Sequence, residues 1–142
     1  MNRKSVVGFC ASYNKYITKY WSKSLVQDAE QRVDLQPLMF KALRKFHKLN
    51  YCMPKRVIFF RGSRGYSDSE LPQIEAAFKE LGLTDKVSLV FITVQRNVNT
   101  RIFAQGELEN TFKNPIPGIV VNQGITEVDS LHEFFLISTA AR

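Results

Sequence analysis

Arg56-Val57-Ile58-Phe59-Phe60-Arg61-Gly62-Ser63-Arg64-Gly65 is the stretch on which the fold turns. Its first half is β-branched and aromatic without polar alternation, which predicts a central strand covered on both faces. Its second half breaks that strand with glycine, serine and arginine, and Ser67-Asp68-Ser69 then offers helix-capping side chains. Strand, loop and helix in this order make the βα unit of an open α/β sheet. Such sheets place ligands at the carboxyl ends of their strands, so a site edged by Arg61 to Arg64 is expected.

Downstream, Leu71, Ile74, Ala77, Phe78 and Leu81 recur at helical spacing, which predicts a helix from Ser69 to Leu81 with Pro72 in its first turn and Gly82 closing it. Val87 to Gln95 reads as a second apolar strand, and strand–helix–strand implies a right-handed parallel crossover. Arg96 to Arg101 follows at once, so both strands end in arginines. Two such ends side by side suit phosphate groups.

Upstream, Leu35, Leu38, Met39, Ala42, Leu43 and Phe46 form the apolar stripe of a helix between Val33 and Leu49, which Pro37 allows to begin at Pro37. Val6 to Ser12 and Tyr16 to Leu25 read as a strand hairpin about a turn at Tyr13 to Lys15. Toward the carboxyl end, Ala104 to Pro117 is turn-rich and reads as an exposed loop. Gly118 to Asn122 and Glu133 to Ser138 read as short strands. No internal linker separates domains, so residues 1–142 are taken as one.

Twenty Lys and Arg against 13 Asp and Glu give a net charge of +7, which favours an anionic partner, most simply nucleic acid. Lys15, Lys19, Lys23, Lys41, Lys45 and Lys48 equally suit solvated faces. A 44% hydrophobic share with 12% aromatics argues against disorder. No apolar run approaches the roughly 20 residues that span a bilayer, and no signal-like core follows the first residues. The expectation is a soluble cytoplasmic protein without membrane contact, with nuclear residence left open.

Cys10 and Cys52 show no metal or redox spacing and are expected as buried thiols. His47 and His132 lack a partner visible in sequence, and motifs for nucleotide, zinc or acyl-transfer chemistry are absent. No carboxylate stands at the end of either central strand, where a two-metal nuclease would need several. Neither cofactor nor metal is expected.

Several ordered blocks nevertheless resemble one family, the Argonaute/Piwi proteins, in their Piwi domain. Pro54-Lys-Arg-Val-Ile-Phe-Phe-Arg61 is similar to Pro-x-Arg-Ile-Ile-x-Tyr-Arg, and Val94-Gln95-Arg96 with Thr100-Arg101 matches Val-Gln-Lys-x-x-x-Thr-Arg in register. Asn114, Pro117-Gly118, Val121-Asn122 and Phe134 to Ser138 follow further blocks, and Gln27 fits as well. The likeness runs over about residues 5–139.

That resemblance implies an α/β, ribonuclease-H-like mixed sheet flanked by helices, here an incomplete one whose first strand and C-terminal part are missing. The missing strand would lie between the hairpin and Arg56 to Phe60, leaving unpaired edges. It further implies a noncatalytic protein of RNA-mediated silencing. Gly62 stands where slicing members carry the Asp of Arg-Asp-Gly, and the mobile glutamate falls at Glu30 or Arg32. The resemblance places guide-RNA contacts at Arg96, Thr100, Arg101, Arg61, Arg64 and Ser138. Expected partners are small guide RNA and target RNA, together with silencing proteins or a chain that completes the sheet. The competing expectation is a remnant acting through protein contacts without RNA affinity.

Overall fold

The computed structural model of the chain describes residues 3–28, 33–62, 67–96, 98–108, 110–124 and 132–139. It divides into two compact units, Met1–Arg96 and Asn97–Arg142. The absence of a linker-like stretch in the sequence does not signal that division. Among the described residues no helix is long and apolar enough to cross a membrane.

In the first unit, β1 (Lys4–Ser12) and β2 (Tyr20–Asp28) form an antiparallel hairpin, with Phe9 opposite Lys23 and Ala11 opposite Trp21. The second strand begins four residues later than the expected start at Tyr16. Asn14 is the reason, because its side-chain oxygen accepts from the Thr18 and Lys19 amides at 3.0 and 2.9 Å and holds the segment as a turn. Ile17 sits at the tip with φ of 53°, a left-handed backbone unusual for a β-branched residue. Cys10 points to the outer face of β1, and both cysteines are exposed rather than buried. Strand alternation sends Phe9 and Ala11 inward and leaves Cys10 outside.

The parallel pair follows the expected crossover. β3 (Arg56–Gly62) and β4 (Ser88–Val94) run in register from Arg56 with Ser88 to Gly62 with Val94, joined by α2 (Ser67–Glu80). α1 (Gln36–Asn50) precedes them, with Pro37 in its first turn where no amide donor is needed. It opens without a capping side chain of its own. Gln73 of α2 closes the gap, accepting from the Leu35 amide at 2.7 Å and donating to the Val33 carbonyl at 3.1 Å. Pro72 lies within α2, beyond its first turn, because the helix starts two residues earlier than expected. Gly82, at φ of 65°, ends the helix with the Leu83 amide donating to the Phe78 carbonyl at 2.8 Å.

Leu38, Met39, Ala42 and Leu43 of α1 and Ile74, Ala77 and Phe78 of α2 form the core with Phe9, Leu83 and Val87. They pack on the strand face made by Val57, Phe59, Leu89 and Phe91. A row of rings crosses that face: Trp21 to Phe9 at 6.0 Å, Phe9 to Phe59 at 6.2 Å and Phe59 to Phe91 at 5.2 Å. The Phe9–Phe59 contact links the two strand pairs through side chains, and among the described residues no ladder joins β1 to β3. The opposite face carries Ile58, Phe60, Val90 and Val94, all exposed. Central coverage on both faces, expected from the unbroken apolar run, thus holds on one face only, because both helices lie on the same side.

In the second unit, β5 (Ala104–Gln105) pairs with β6 (Phe112–Lys113), so the expected loop contains a short hairpin. Gly106 makes it possible, since a Cβ there would collide with the Thr111 hydroxyl. β7 (Val120–Val121) pairs with β8 (Phe135–Leu136), and the Gly118 amide reaches the Ile137 carbonyl at 2.7 Å.

Candidate nucleic-acid interface

The carboxyl ends of β3 and β4 lie side by side, as the parallel register requires. Arg61 faces the helices there, and its Nε donates to Glu70 Oε1 at 3.0 Å and Oε2 at 2.9 Å. Glu70 is 2% exposed. A carboxylate therefore does stand at the end of β3, delivered by the first turn of α2 rather than by the strand. The pair ties strand end to helix start, so Arg61, expected at a phosphate, is engaged inside the protein. Its charge is largely offset in place.

Gly62 is exposed, and a Cβ built on it meets nothing within 4 Å. Packing does not demand glycine at this position. Arg64 and the two candidate glutamate positions, Glu30 and Arg32, lie outside the described residues. Arg96, two residues past β4, is exposed in the first unit, and Thr100 is exposed in the second.

Arg101 and Ser138 are brought together. They line one open groove of about 280 Å³ in the second unit, with Phe103, Asn114, Leu136 and Thr139. Exposure alternates along Arg101, Ile102, Phe103, Ala104 and Gln105, as it does from Phe134 to Ser138. Each segment is extended and turns every second side chain outward. The Arg101 guanidinium has no ion pair or hydrogen bond among the described residues, so it remains an available cation. Phe103 is absent from the sequence-derived candidates; its signal is an aromatic two residues after an arginine.

A second basic concavity lies on the first unit. Lys41, Arg44, Lys45 and Lys48, at the solvent face of α1, surround a floor that includes Trp21, Met53 and Leu81. The helical stripe that buries Leu38 to Leu43 places these cations opposite, as amphipathicity dictates. Arg44 lies over the Phe40 ring at 5.7 Å.

The Piwi domain family model matches residues 1–142. The chain is 33% identical to Piwi-like protein 1 of Gallus gallus over 148 residues, covering 99% of this chain and 17% of that protein. It is 32% identical to protein argonaute-3 of Drosophila melanogaster, covering 97% of this chain and 16% of the relative. The crystal structure of Drosophila Piwi superposes with a TM-score of 0.72 at 26% identity, over 98% of this chain and 19% of that one. The chain thus spans under a fifth of the length of these relatives.

Proposed function

From the premise that this chain belongs to the Piwi domain family, with its ribonuclease-H-like fold, we propose that it contacts the RNA backbone, guide or target, in small-RNA-guided silencing, without cleaving RNA. The observation that carries the reading is the groove that joins Arg101 to Ser138, with a guanidinium at its wall that has no partner among the described residues. A phosphate there would receive charge-assisted hydrogen bonds from the guanidinium and a further bond from the hydroxyl. Thr100 in the second unit and Arg96 in the first, each exposed and polar, are each assigned a contact with RNA phosphate. Arg61 is not, because its Nε is held by Glu70.

The noncatalytic part of the reading is supported by Gly62. In slicing relatives an aspartate would occupy that position, and glycine has no oxygen to offer a metal ion. The Arg61–Glu70 pair does not replace it, since that carboxylate is already satisfied by a cation. Residence in the cytoplasm accompanies this proposal.

The test is binding of a single-stranded RNA to the full chain between about 50 and about 200 mM salt, with and without Arg96→Ala plus Arg101→Ala. Each lost phosphate contact lowers the slope of log K against log salt by about 0.7. A drop near 1.4 is expected for the double variant on that rule, and an unchanged slope sinks the assignment. No cleavage of a guide-paired RNA in Mg²⁺ is expected; cleavage would overturn the noncatalytic reading.

The uncovered apolar face of β3 and β4 favours a second reading, action through protein contacts alone. Absence of RNA binding at low salt, with stable capture of a silencing protein, would select it.

A further inference from the structure

Resting on the RNA reading above, we propose that the Arg101 groove is a single-nucleotide subsite in which the Phe103 ring stacks an RNA base while Arg101 holds the neighbouring phosphate. Arg101 and Phe103 share the outward face of one extended segment. Two residues along such a backbone advance about 6.6 Å, a span that suits a phosphate and the base beside it.

Phe103 is 56% exposed, which is costly for a ring that could have been buried. Phe112 meets it edge-to-face at 6.4 Å and 60°, which braces the ring and leaves more than half of it open. Leu136 extends the apolar wall, and the polar atoms of Asn114, Ser138 and Thr139 line the same groove. A purely apolar ligand would leave the guanidinium without a partner, and a bare anion would leave the ring in water. A nucleotide satisfies both, and aromatic rings beside basic side chains are the recurring design for single strands.

Stacking is tolerant of sequence because every base has a π-face, so the subsite grips a strand without reading it. That complements the phosphate contact, which carries no sequence information either.

The experiment compares the full chain with Phe103→Ala, Phe103→Leu and Phe103→Tyr, binding a labelled single-stranded oligouridylate and an abasic RNA backbone of equal length. Both Ala and Leu are expected to weaken oligouridylate binding about 5- to 150-fold, with the salt slope unchanged and abasic binding unaltered. Tyr is expected to bind as the parent chain does. Oligouridylate binding by Phe103→Leu equal to the parent, or equal losses on both ligands, overturns stacking. Arg101→Ala separates the two levels: an unchanged slope there refutes the phosphate reading, whereas a slope lowered by about 0.7 with no Phe103 effect refutes only the base contact.

Discussion

Replacing Arg61 by Met should destabilise the chain by about 3 to 5 kcal/mol, the cost of leaving a buried carboxylate without its cation. The structure supports that upper range because Glu70 is 2% exposed and accepts from Arg61 Nε at both oxygens, 3.0 and 2.9 Å away. The one Nε–H is shared between the two oxygens, and a hydrogen bond to a charged group contributes about 1.5 to 3 kcal/mol. Arg61 itself keeps 30% of its side-chain surface, so water partly serves the guanidinium, and Glu70→Leu should cost less. The double variant Arg61→Met/Glu70→Leu removes both charges and should recover most of the loss, since apolar replacements of buried pairs are often neutral. Urea unfolding followed by circular dichroism gives the four corners of this cycle, with unchanged m-values marking a pure stability effect. An Arg61→Met variant within about 0.5 kcal/mol of the parent, well inside the surface-substitution range, would show that the pair does not hold α2 to β3.

Three further outcomes follow from the backbone. Gly62→Asp should fold with stability within about 1 kcal/mol of the parent, because its Cβ meets nothing within 4 Å, and should not confer Mg²⁺-dependent RNA cleavage. Gly106→Ala should destabilise the β5–β6 hairpin by about 1 to 3 kcal/mol, since the new methyl strikes Thr111, and faster amide exchange at Thr111 and Lys113 would report it. Ile17→Asn should stabilise the chain by about 0.5 to 1 kcal/mol, because asparagine tolerates a φ of 53° and Ile17 is already 62% exposed; a lower thermal midpoint would contradict this.

Much of the architecture was written in local pattern. The stripes Leu35 to Leu43 and Ile74 to Phe78 gave both helices, and the apolar run Val57 to Phe60 with Leu89 to Ile92 gave the parallel pair, because burial is periodic in sequence. What failed depended on neighbours. Tyr16 and Ile17 have strand propensity, but Asn14 offers their segment hydrogen bonds that a strand cannot match. Residue type alone predicts a buried Cys10, whereas its position in the alternation of β1 decides its exposure.

The site divides in the same way. The carboxylate at the end of β3 was invisible along the strand, since Glu70 reaches Arg61 only after the chain turns into α2. Arg101 and Ser138 lie far apart in sequence; the place of Arg101 just past the second apolar strand marks it, whereas family resemblance alone names Ser138. That they share a groove depends on how β5 to β8 are arranged, which no local period encodes.

The parallel pairing of β3 with β4 also sets the order in which this chain can assemble. Its partners, such as Arg56 and Ser88, are separated by the whole of α2, whereas the β1–β2 hairpin closes over the short turn from Tyr13 to Lys19. Hairpins form in about 1 to 10 μs, and distant pairings wait on loop closure. Helix α2, tied to the end of β3 by Arg61 and Glu70 only nine residues apart, shortens that search once it forms. Refolding should therefore slow when α2 is weakened, for example by Ala77→Gly, and should be little affected by Ala11→Gly in the hairpin.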